Sequence, residues 1–427
     1  MEIEMVKPVF NPAALFQHNI SVPRSLAGIT RTADNEVDPG LLGLMEQDRD
    51  AIWRAIKDLY RTGAYPAIAI CIRRHGEILL NRTIGHAKGN GLTDTNVEKV
   101  IASPDTPFCL FSASKAITAM LIHLLEERKQ INLFNPVSYY IPEFAQNGKK
   151  RITVQQVLSH RAGLAGMKSV KTDDMMDHDR MMEWIYNARP SERYGREQAY
   201  HALTGGYILG ELVKRVTGDD IREFMRVNVQ EPMGMVHFNY GAPNGRYAEV
   251  ATNYVTGMSL TYPTKVFLKR ILGTDLITAV RSSNEPEFYK RIIPAANIVA
   301  TAEESCRFFQ CLLNGGEYEG KRIFHPCTVE QAVQEASSTS LDKMLLVPMR
   351  YSSGMMLGNN PIGLFGPQTS KAFGHIGLTN NFCWADPERM IAVSLLTSGN
   401  PVLGTHLPRL AKLLYVISKR CRKVFKH

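Results

Sequence analysis

Ser112 and Lys115 are the residues of this chain best suited to nucleophilic chemistry. They form the pattern Ser-Ala-Ser-Lys directly before the apolar run Ala116–Leu125. If the segment is helical, residues three apart share one face, so the lysine amine can lie beside the serine hydroxyl. Unpaired N–H groups and the helix dipole at that end favour an alkoxide or an oxyanion. The pattern therefore predicts a catalytic serine with its own base.

The same pattern also arises by chance, as an N-cap serine followed by a surface lysine. The chain contains a second copy, Ser340-Leu-Asp-Lys343, which allows a comparison. Pro348 follows this copy within five residues, and no long apolar helix stands behind it. Only the first copy has the context that the chemistry needs, so Ser112 is the better candidate.

Other catalytic frames are missing from the sequence. No serine stands in Gly-x-Ser-x-Gly, and there is no Walker-type phosphate loop and no His-Glu-x-x-His. The seven cysteines are scattered, odd in number and without Cys-x-x-Cys, which favours neither a disulfide scaffold nor a zinc site. We therefore predict Ser-Lys chemistry with no cofactor and no metal.

Composition and charge narrow the classes of function. The chain has 427 residues, 44% hydrophobic and 21% charged, as in ordinary globular proteins. No run approaches the roughly 18 apolar residues of a membrane span, and the N-terminus lacks the order of a secretory signal. With its scattered cysteines, the chain is expected in a reducing cytoplasm.

The net charge of +9 raises the question of nucleic acid or membrane binding. Much of the excess lies in one tail and not on a broad face, so no nucleic-acid partner is expected. The tail follows the amphipathic stretch Leu407–Ile417, and peripheral membrane contact stays an alternative to a solvated end. The basic residues in the last nine positions are Lys419, Arg420, Arg422, Lys423 and Lys426.

The order of predicted elements indicates an α+β fold. A helix over about 46–61 and a hairpin of Ala67–Arg73 with Glu77–Ile84 stand at one end, and strands and a helix stand at the other. A mainly helical middle separates them, so we expect one mixed lobe built from both termini and an inserted helical lobe. Residues 240–295 are poorly periodic and predict a long substrate-facing insertion. The other predicted helices are 152–159, 180–187, 204–217 and 303–313, and the other strands are 382–385 and 390–397.

Two further segments, together with the Ser112–Lys115 pattern, resemble the motifs of a known family. Residues 190–218 and Phe373–Thr379, with Ser112–Lys115, are similar to the three ordered motifs of the class C β-lactamase-like serine hydrolases. This family includes β-lactamases, D-amino-acid peptidases, family VIII esterases and related acyltransferases. The similarity covers about residues 45–418, with supporting matches at 158–166, 297–303, 313–316 and 320–322.

The resemblance implies a β-lactamase/transpeptidase-like fold, with an antiparallel sheet flanked by helices, and a role for each motif residue. Ser112 would be the nucleophile, Lys115 its general base and Tyr200 the proton shuttle to the leaving group. His375-Ile-Gly377 would be the Lys/His-x-Gly strand, and the N–H groups of Leu378 and Ser112 the oxyanion hole.

Each of these assignments has an ordinary alternative. Tyr200 could be a packed core tyrosine, with Tyr194 and Tyr207 as the fallback candidates. His375 could be a plain strand histidine, and His160 and His201 are interpreted as structural. A basic role for Lys115 also needs a lowered pKa, and the flanking Phe108–Phe111 offers apolar surroundings for it.

Two departures from the family pattern bear on the substrate. The β-lactamases of this class have Tyr-x-Asn, whereas this chain has Ala202 at the third position. It also has His375 where those enzymes carry lysine, which weakens the charge available to a β-lactam carboxylate. The machinery for acyl transfer is retained, and the string Tyr-His-Ala-Leu-Thr resembles that of esterase-type members.

We therefore interpret the chain as a serine hydrolase, foremost a carboxylesterase on small or medium acyl esters. A D-amino-acid amidase or peptidase, a β-lactamase, an acyltransferase and a non-catalytic binding homologue stay open, and its partner would be a small ester or amide. The expected organisation is an arm over 1–43, a catalytic domain over 44–420 and a basic tail over 421–427. Its mixed lobe would comprise about 44–110 and 300–420, and its helical lobe with the insertion about 111–299. The oligomeric state is left undetermined.

Overall fold

The structure is a computed structural model that describes residues 17–92, 94, 97–167, 170, 173–242, 245–378 and 380–424. Its helices are α1 Glu46–Tyr60, α2 Ser114–Glu127, α3 Val137–Tyr140, α4 Val154–Leu158, α5 His178–Asn187, α6 Thr204–Thr217, α7 Ile221–Met225, α8 Tyr262–Leu272, α9 Leu276–Ser282, α10 Pro286–Lys290, α11 Ala302–Leu313, α12 Pro326–Val333 and α13 His406–Arg420. Its strands are β1 Gln17–His18, β2 Thr30–Thr32, β3 Ala67–Arg74, β4 Glu77–Lys88, β5 Val100–Ile101, β6 Phe108–Cys109, β7 Asn239–Tyr240, β8 Gly257–Met258, β9 Ile298–Ala300, β10 Glu317–Tyr318, β11 Lys321–Arg322, β12 Ser340–Leu341, β13 Pro348–Met349, β14 Met356–Leu357, β15 Ile362–Gly363, β16 Gly366–Pro367, β17 Phe373–Ile376, β18 Phe382–Asp386 and β19 Ile391–Thr397.

An antiparallel sheet joins the two ends of the chain. Its strand order is β14-β17-β18-β19-β3-β4-β2, with β5 also paired to β4. The predicted hairpin is confirmed as β3 and β4, whose turn places His75 and Gly76 at φ of 52° and 93°. The C-terminal strand β19 pairs with β3, from Ile391 opposite Arg74 to Thr397 opposite Ile68. This sheet, with its helices, confirms the predicted α+β class.

Helices cover the sheet, and its strand β3 is buried along its whole length. Helix α1 packs on α13 and lies against β4, and α11 packs on β3, β18 and β19. Helix α11 starts with a capping box, in which the Thr301 hydroxyl accepts a hydrogen bond from the Glu304 N–H and the Glu304 carboxylate accepts one from the Thr301 N–H. Strand β17 lies between β14 and β18, and Ile376 at its C-terminal end borders the site.

Helix α2 connects the sheet with the helical middle of the chain. It packs against α6, α12 and β17, and its residues from Ser114 to Leu125 are all buried. This burial explains why the run behind Ser112 is apolar on every side. The predicted helix over 204–217 is confirmed as α6, which ends at Gly218 with φ of 85°.

Residues 240–295, the predicted substrate-facing insertion, include helical segments. They contain the three helices α8, α9 and α10. Helix α8 has Pro263 in its first turn and ends at Gly273 with φ of 79°, and α9 is capped by the Asp275 side chain, which accepts from the Thr278 N–H. These helices are short and weakly patterned, which explains why the sequence of this segment is poorly periodic.

Both ends of the described chain lie on the body of the fold. Near the N-terminus, β1 pairs with β8 and β2 extends the sheet beside β4. In the basic tail, the Arg422 carbonyl accepts from Arg74 at 3.1 Å, and Lys423 pairs with Glu388 at 2.8 Å. Lys426 lies outside the described residues. Across the described ranges, the helices lack the combined length and apolar character that crossing a bilayer requires.

Candidate active site

The turn that carries Ser112 joins β6 to α2. Ser112 lies in a single 3-10 turn, Phe111–Ala113, so the α-helix begins two residues later than the serine. Phe111 adopts φ of 47°, a conformation that is uncommon for a bulky residue and is often found at functional sites. The turn is anchored by the Leu110 N–H, which donates to the Ile298 carbonyl at 2.8 Å.

Lys115 lies directly beside the serine. Its Nζ donates to Ser112 Oγ at 3.1 Å and to the Ala295 carbonyl at 3.1 Å. The side chain is buried, and this burial lowers the lysine pKa to about 7. The cause is desolvation, which disfavours the ammonium form. Near neutral pH a large fraction of the amine is therefore uncharged and able to accept a proton from the serine.

The loop after α10 supplies the carbonyl of Ala295. On one side of it, the Thr118 hydroxyl donates to the Pro294 carbonyl at 2.6 Å. On the other side, the buried Asn297 side chain accepts from the Ile293 N–H at 2.9 Å and donates to the Phe288 carbonyl at 2.9 Å. These bonds fix a second acceptor for Lys115. No single-sequence motif indicates this role of the Ala295 backbone.

Tyr200 completes a compact group with these two residues. Its ring centroid lies 4.8 Å from Lys115 Nζ, and Tyr200 lines the same cavity as Ser112. Burial raises the pKa of Tyr200 above its ordinary range. The phenol therefore stays protonated near neutral pH and can hand a proton on. The two fallback tyrosines lie elsewhere: the Tyr207 hydroxyl donates to the Met175 carbonyl at 2.6 Å, and Tyr194 is partly buried away from the cavity described below.

A buried carboxylate holds the backbone at Tyr200. Asp342 Oδ1 accepts from the Tyr200 N–H at 3.2 Å, and Oδ2 accepts from the Tyr351 hydroxyl at 3.2 Å. The His160 ring lies between the two tyrosine rings, with centroid distances of 4.8 Å to each. Asp342 belongs to the second Ser-x-x-Lys copy, which forms the β12–β13 hairpin instead of a helix. Sequence reasoning gave this segment no role and missed the aspartate.

His375 stands in β17, with its ring centroid 6.2 Å from that of Tyr200. Its Nδ1 bonds the Ile376 carbonyl at 2.9 Å, so Nδ1 carries the proton and Nε2 keeps a lone pair. Nε2 is buried and has no hydrogen-bond partner among the described residues. Burial and the nearby Lys115 lower the pKa of His375 to about 3. The imidazole is therefore neutral and supplies no positive charge.

The end of β17 approaches the serine turn closely. A Cβ on Gly377 would lie 2.3 Å from the Leu110 carbonyl oxygen, so only glycine fits there. The Gly377 N–H donates to the Asn381 carbonyl at 2.7 Å, and the Asn381 side chain donates to the Cys109 carbonyl at 2.9 Å. Asn381 thereby ties the turn that carries Leu378 to the segment before Ser112. Ser112 and Leu378 border the same space, as a shared oxyanion hole requires.

That space is a cavity of about 450 Å³. Its hydroxyl-bearing walls are Ser112, Tyr200, Thr274 and Ser282, and no charged side chain lines it among the described residues. The segment predicted to face the substrate does line the cavity, although as helices. The apolar walls are Phe111, Met175, Met176, Ala202, Leu203, Phe267, Leu268, Ile271, Leu272, Ala279, Phe288, Ile293, Ala296, Leu345, Val347, Met349, Met356, Leu364, Ile376 and Leu378.

The remaining two candidate histidines lie behind the tyrosine. The His160 Nδ1 accepts from the His201 N–H at 3.1 Å, and the His201 Nε2 accepts from the Leu164 N–H at 3.3 Å. Burial lowers the pKa of His201 to about 4. Both rings thus accept backbone hydrogen bonds behind Tyr200, and neither lines the cavity.

Comparisons with known proteins agree with this architecture. The chain is 34% identical over 307 residues to the esterase/beta-lactamase LipL of Mycobacterium tuberculosis, covering 69% of this chain and 70% of that relative. A penicillin-binding protein homologue from Caulobacter crescentus superposes with a TM-score of 0.74 at 26% identity, covering 88% of this chain and 98% of that one. A family VIII carboxylesterase has the same fold, with a TM-score of 0.74 at 23% identity and coverage of 89% and 99%.

The family assignment follows from the extent of the match. The family model described as Beta-lactamase matches residues 52–415, which include all the site residues described above. The chain therefore belongs to the Beta-lactamase family, and it is a serine hydrolase of the β-lactamase/transpeptidase-like fold.

Proposed function

We propose that this protein is a carboxylesterase that forms an acyl-enzyme on Ser112. The observation that carries the proposal is the Lys115 amine, which lies 3.1 Å from the Ser112 hydroxyl and whose pKa burial lowers to about 7. A serine hydroxyl is a weak nucleophile until a neighbouring base takes its proton. The buried amine supplies that base in its neutral form.

Acylation then proceeds through three proton transfers. As Ser112 Oγ attacks the ester carbonyl carbon, its proton passes to the neutral amine of Lys115. The oxyanion that forms faces the N–H groups of Ser112 and Leu378. Tyr200 gives its phenolic proton to the departing alkoxide and regains one from Lys115, which leaves an acyl ester on Ser112. Water then attacks this ester, and the same groups move the protons in reverse order.

The walls of the site favour a neutral ester over a charged amide. The described cavity lining offers no cation for a carboxylate and no anion for an ammonium group. Ala202 has no hydrogen bond to give an acyl amide, and His375 is neutral and supplies no positive charge. A β-lactam or a D-amino-acid amide would leave its polar groups unpaired there, whereas an alkyl ester would not.

We expect kcat/KM for p-nitrophenyl butyrate to exceed kcat/KM for nitrocefin at least tenfold. A missing hydrogen bond to an amide or a charged group costs about 1–3 kcal/mol, and two are missing here. Measuring both substrates on the wild-type protein, with a D-alanine anilide as a third arm and Ser112→Ala as the blank, tests the proposal. Nitrocefin or anilide turnover that matches ester turnover would refute the esterase assignment.

The pH dependence should report the lysine. Below pH 7 the Lys115 amine becomes protonated and cannot accept the serine proton, so kcat/KM should fall about tenfold per pH unit and level off above pH 7. The neighbouring His375 and His201, with pKa values of about 3 and about 4, stay neutral through this range. A profile of kcat/KM against pH, from pH 5 to 9 with p-nitrophenyl butyrate, measures this decline. A kcat/KM that still rises tenfold per pH unit up to pH 9, as expected for the ordinary lysine pKa of about 10.4, would contradict a desolvated base.

A further inference from the structure

We propose that the acyl group of the substrate is a fatty-acyl chain of about eight to twelve carbons, which fills the apolar cavity beside Ser112 and packs against α8 and α9. This inference rests on the proposed function, because it assigns a chain to the acyl-enzyme. It narrows the substrate from small or medium acyl esters in general to esters of medium-chain fatty acids.

Residues of helices α8 and α9 in the insertion line part of the cavity. Leu268, Leu276 and Val280 make a small apolar cluster of their own, separate from the main core. Leu378, whose N–H would face the oxyanion, packs against this cluster. Helices α8 and α9 therefore continue the apolar surface directly from the reacting centre outward.

The four bonds of the tetrahedral carbon leave one direction for the acyl chain. One bond goes to Ser112 Oγ, and the oxyanion must point at the N–H of Leu378. The leaving group must reach the Tyr200 hydroxyl to receive its proton. The acyl chain takes the fourth direction, and the cavity that begins at Ser112 extends to Phe267 and Ile271 on α8.

The size and polarity of the cavity set the length of the chain. At roughly 30 Å³ for a water-sized group, a cavity of about 450 Å³ holds about fifteen such groups, including the ester itself. Its lining side chains, among the described residues, are uncharged and mostly apolar. Each methylene moved from water into such a space is worth about fourfold in binding, from about 0.8 kcal/mol per buried methylene. A short acyl group would leave most of this apolar surface unused.

The test is a series of p-nitrophenyl esters from acetate to palmitate, which share one leaving group. We expect kcat/KM to rise at least tenfold from butyrate to octanoate and to fall again at palmitate. Ile271→Trp, which fills the cavity, should lower the ratio of dodecanoate to butyrate at least tenfold. The matched control is Val266→Trp on the same helix, because Val266 is 51% exposed and does not line the cavity. That control should leave the ratio at its wild-type value.

The possible outcomes separate the two proposals. Efficient Ser112-dependent turnover of acetate and butyrate, with no gain at octanoate, would overturn the fatty-acyl assignment and leave the esterase proposal standing. No Ser112-dependent turnover at any chain length would overturn both. The wild-type series decides the matter even if Ile271→Trp does not fold.

Discussion

Replacing Ser112 by alanine should reduce ester hydrolysis by at least about a thousandfold while the fold is kept. The variant removes the attacking oxygen and leaves only the rate enhancement of binding and the oxyanion hole. Lys115 would lose one of its two hydrogen-bond partners and keep the Ala295 carbonyl, so the lysine stays in place. Initial rates with p-nitrophenyl butyrate, together with a thermal melt, measure both parts of the expectation.

Ser340→Ala is the matched control for this variant. Ser340 begins the second Ser-x-x-Lys copy, and its buried hydroxyl has no hydrogen-bond partner among the described residues. Removing it should change neither the rate nor the melting temperature. Wild-type turnover in Ser112→Ala, or loss of turnover in Ser340→Ala, would show that the catalytic motif had been placed on the wrong copy.

Lys115→Ala and Tyr200→Phe should each lower the acylation rate by about two to four orders of magnitude. Both residues act in one proton relay, so the double variant should cost far less than the product of the two single effects. Single-turnover burst kinetics isolate acylation from the later hydrolysis. If the rate loss of the double variant equalled the product of the two single losses, the two side chains would act independently, which contradicts the proposed mechanism.

Tyr194→Phe is the matched control for Tyr200→Phe. Tyr194 is partly buried and does not line the cavity, so its hydroxyl should be dispensable for turnover. Tyr207 is a poorer control, because its hydroxyl donates to the Met175 carbonyl and its loss would cost stability. Should Tyr194→Phe be the damaging change and Tyr200→Phe the mild one, the assignment of the second motif would be wrong.

The sequence predicted those helices and strands whose pattern of apolar residues and turn residues lies within the element and its immediate neighbours. Helix α6 runs over Thr204–Thr217 as predicted, because its amphipathic spacing and the glycine that follows it are written in adjacent residues. The β3–β4 hairpin was predicted for the same reason, from two apolar runs around His75 and Gly76. In the insertion, Pro263 and Gly273 marked the ends of α8, but the short apolar pattern between them was too weak to be read as a helix.

The supporting contacts of the site could not be read from the sequence. Asp342 lies 142 residues after Tyr200, and Ala295 lies 180 residues after Lys115. These contacts are formed by the packing of separate segments, and no spacing rule connects them. The helical start predicted at Ser112 was nearly right, since a 3-10 turn places the serine just before α2. The lowered lysine pKa needed burial from several elements, which the flanking apolar residues only suggested.

Labelling with a fluorophosphonate tests the central claim most directly, because this reagent traps an activated serine irreversibly. Intact mass followed by peptide mapping should show one adduct per chain, on Ser112, with loss of ester hydrolysis in proportion to labelling. Ser112→Ala should take up no label under the same conditions. An adduct on a different residue, or full ester hydrolysis by protein completely modified at Ser112, would contradict the account.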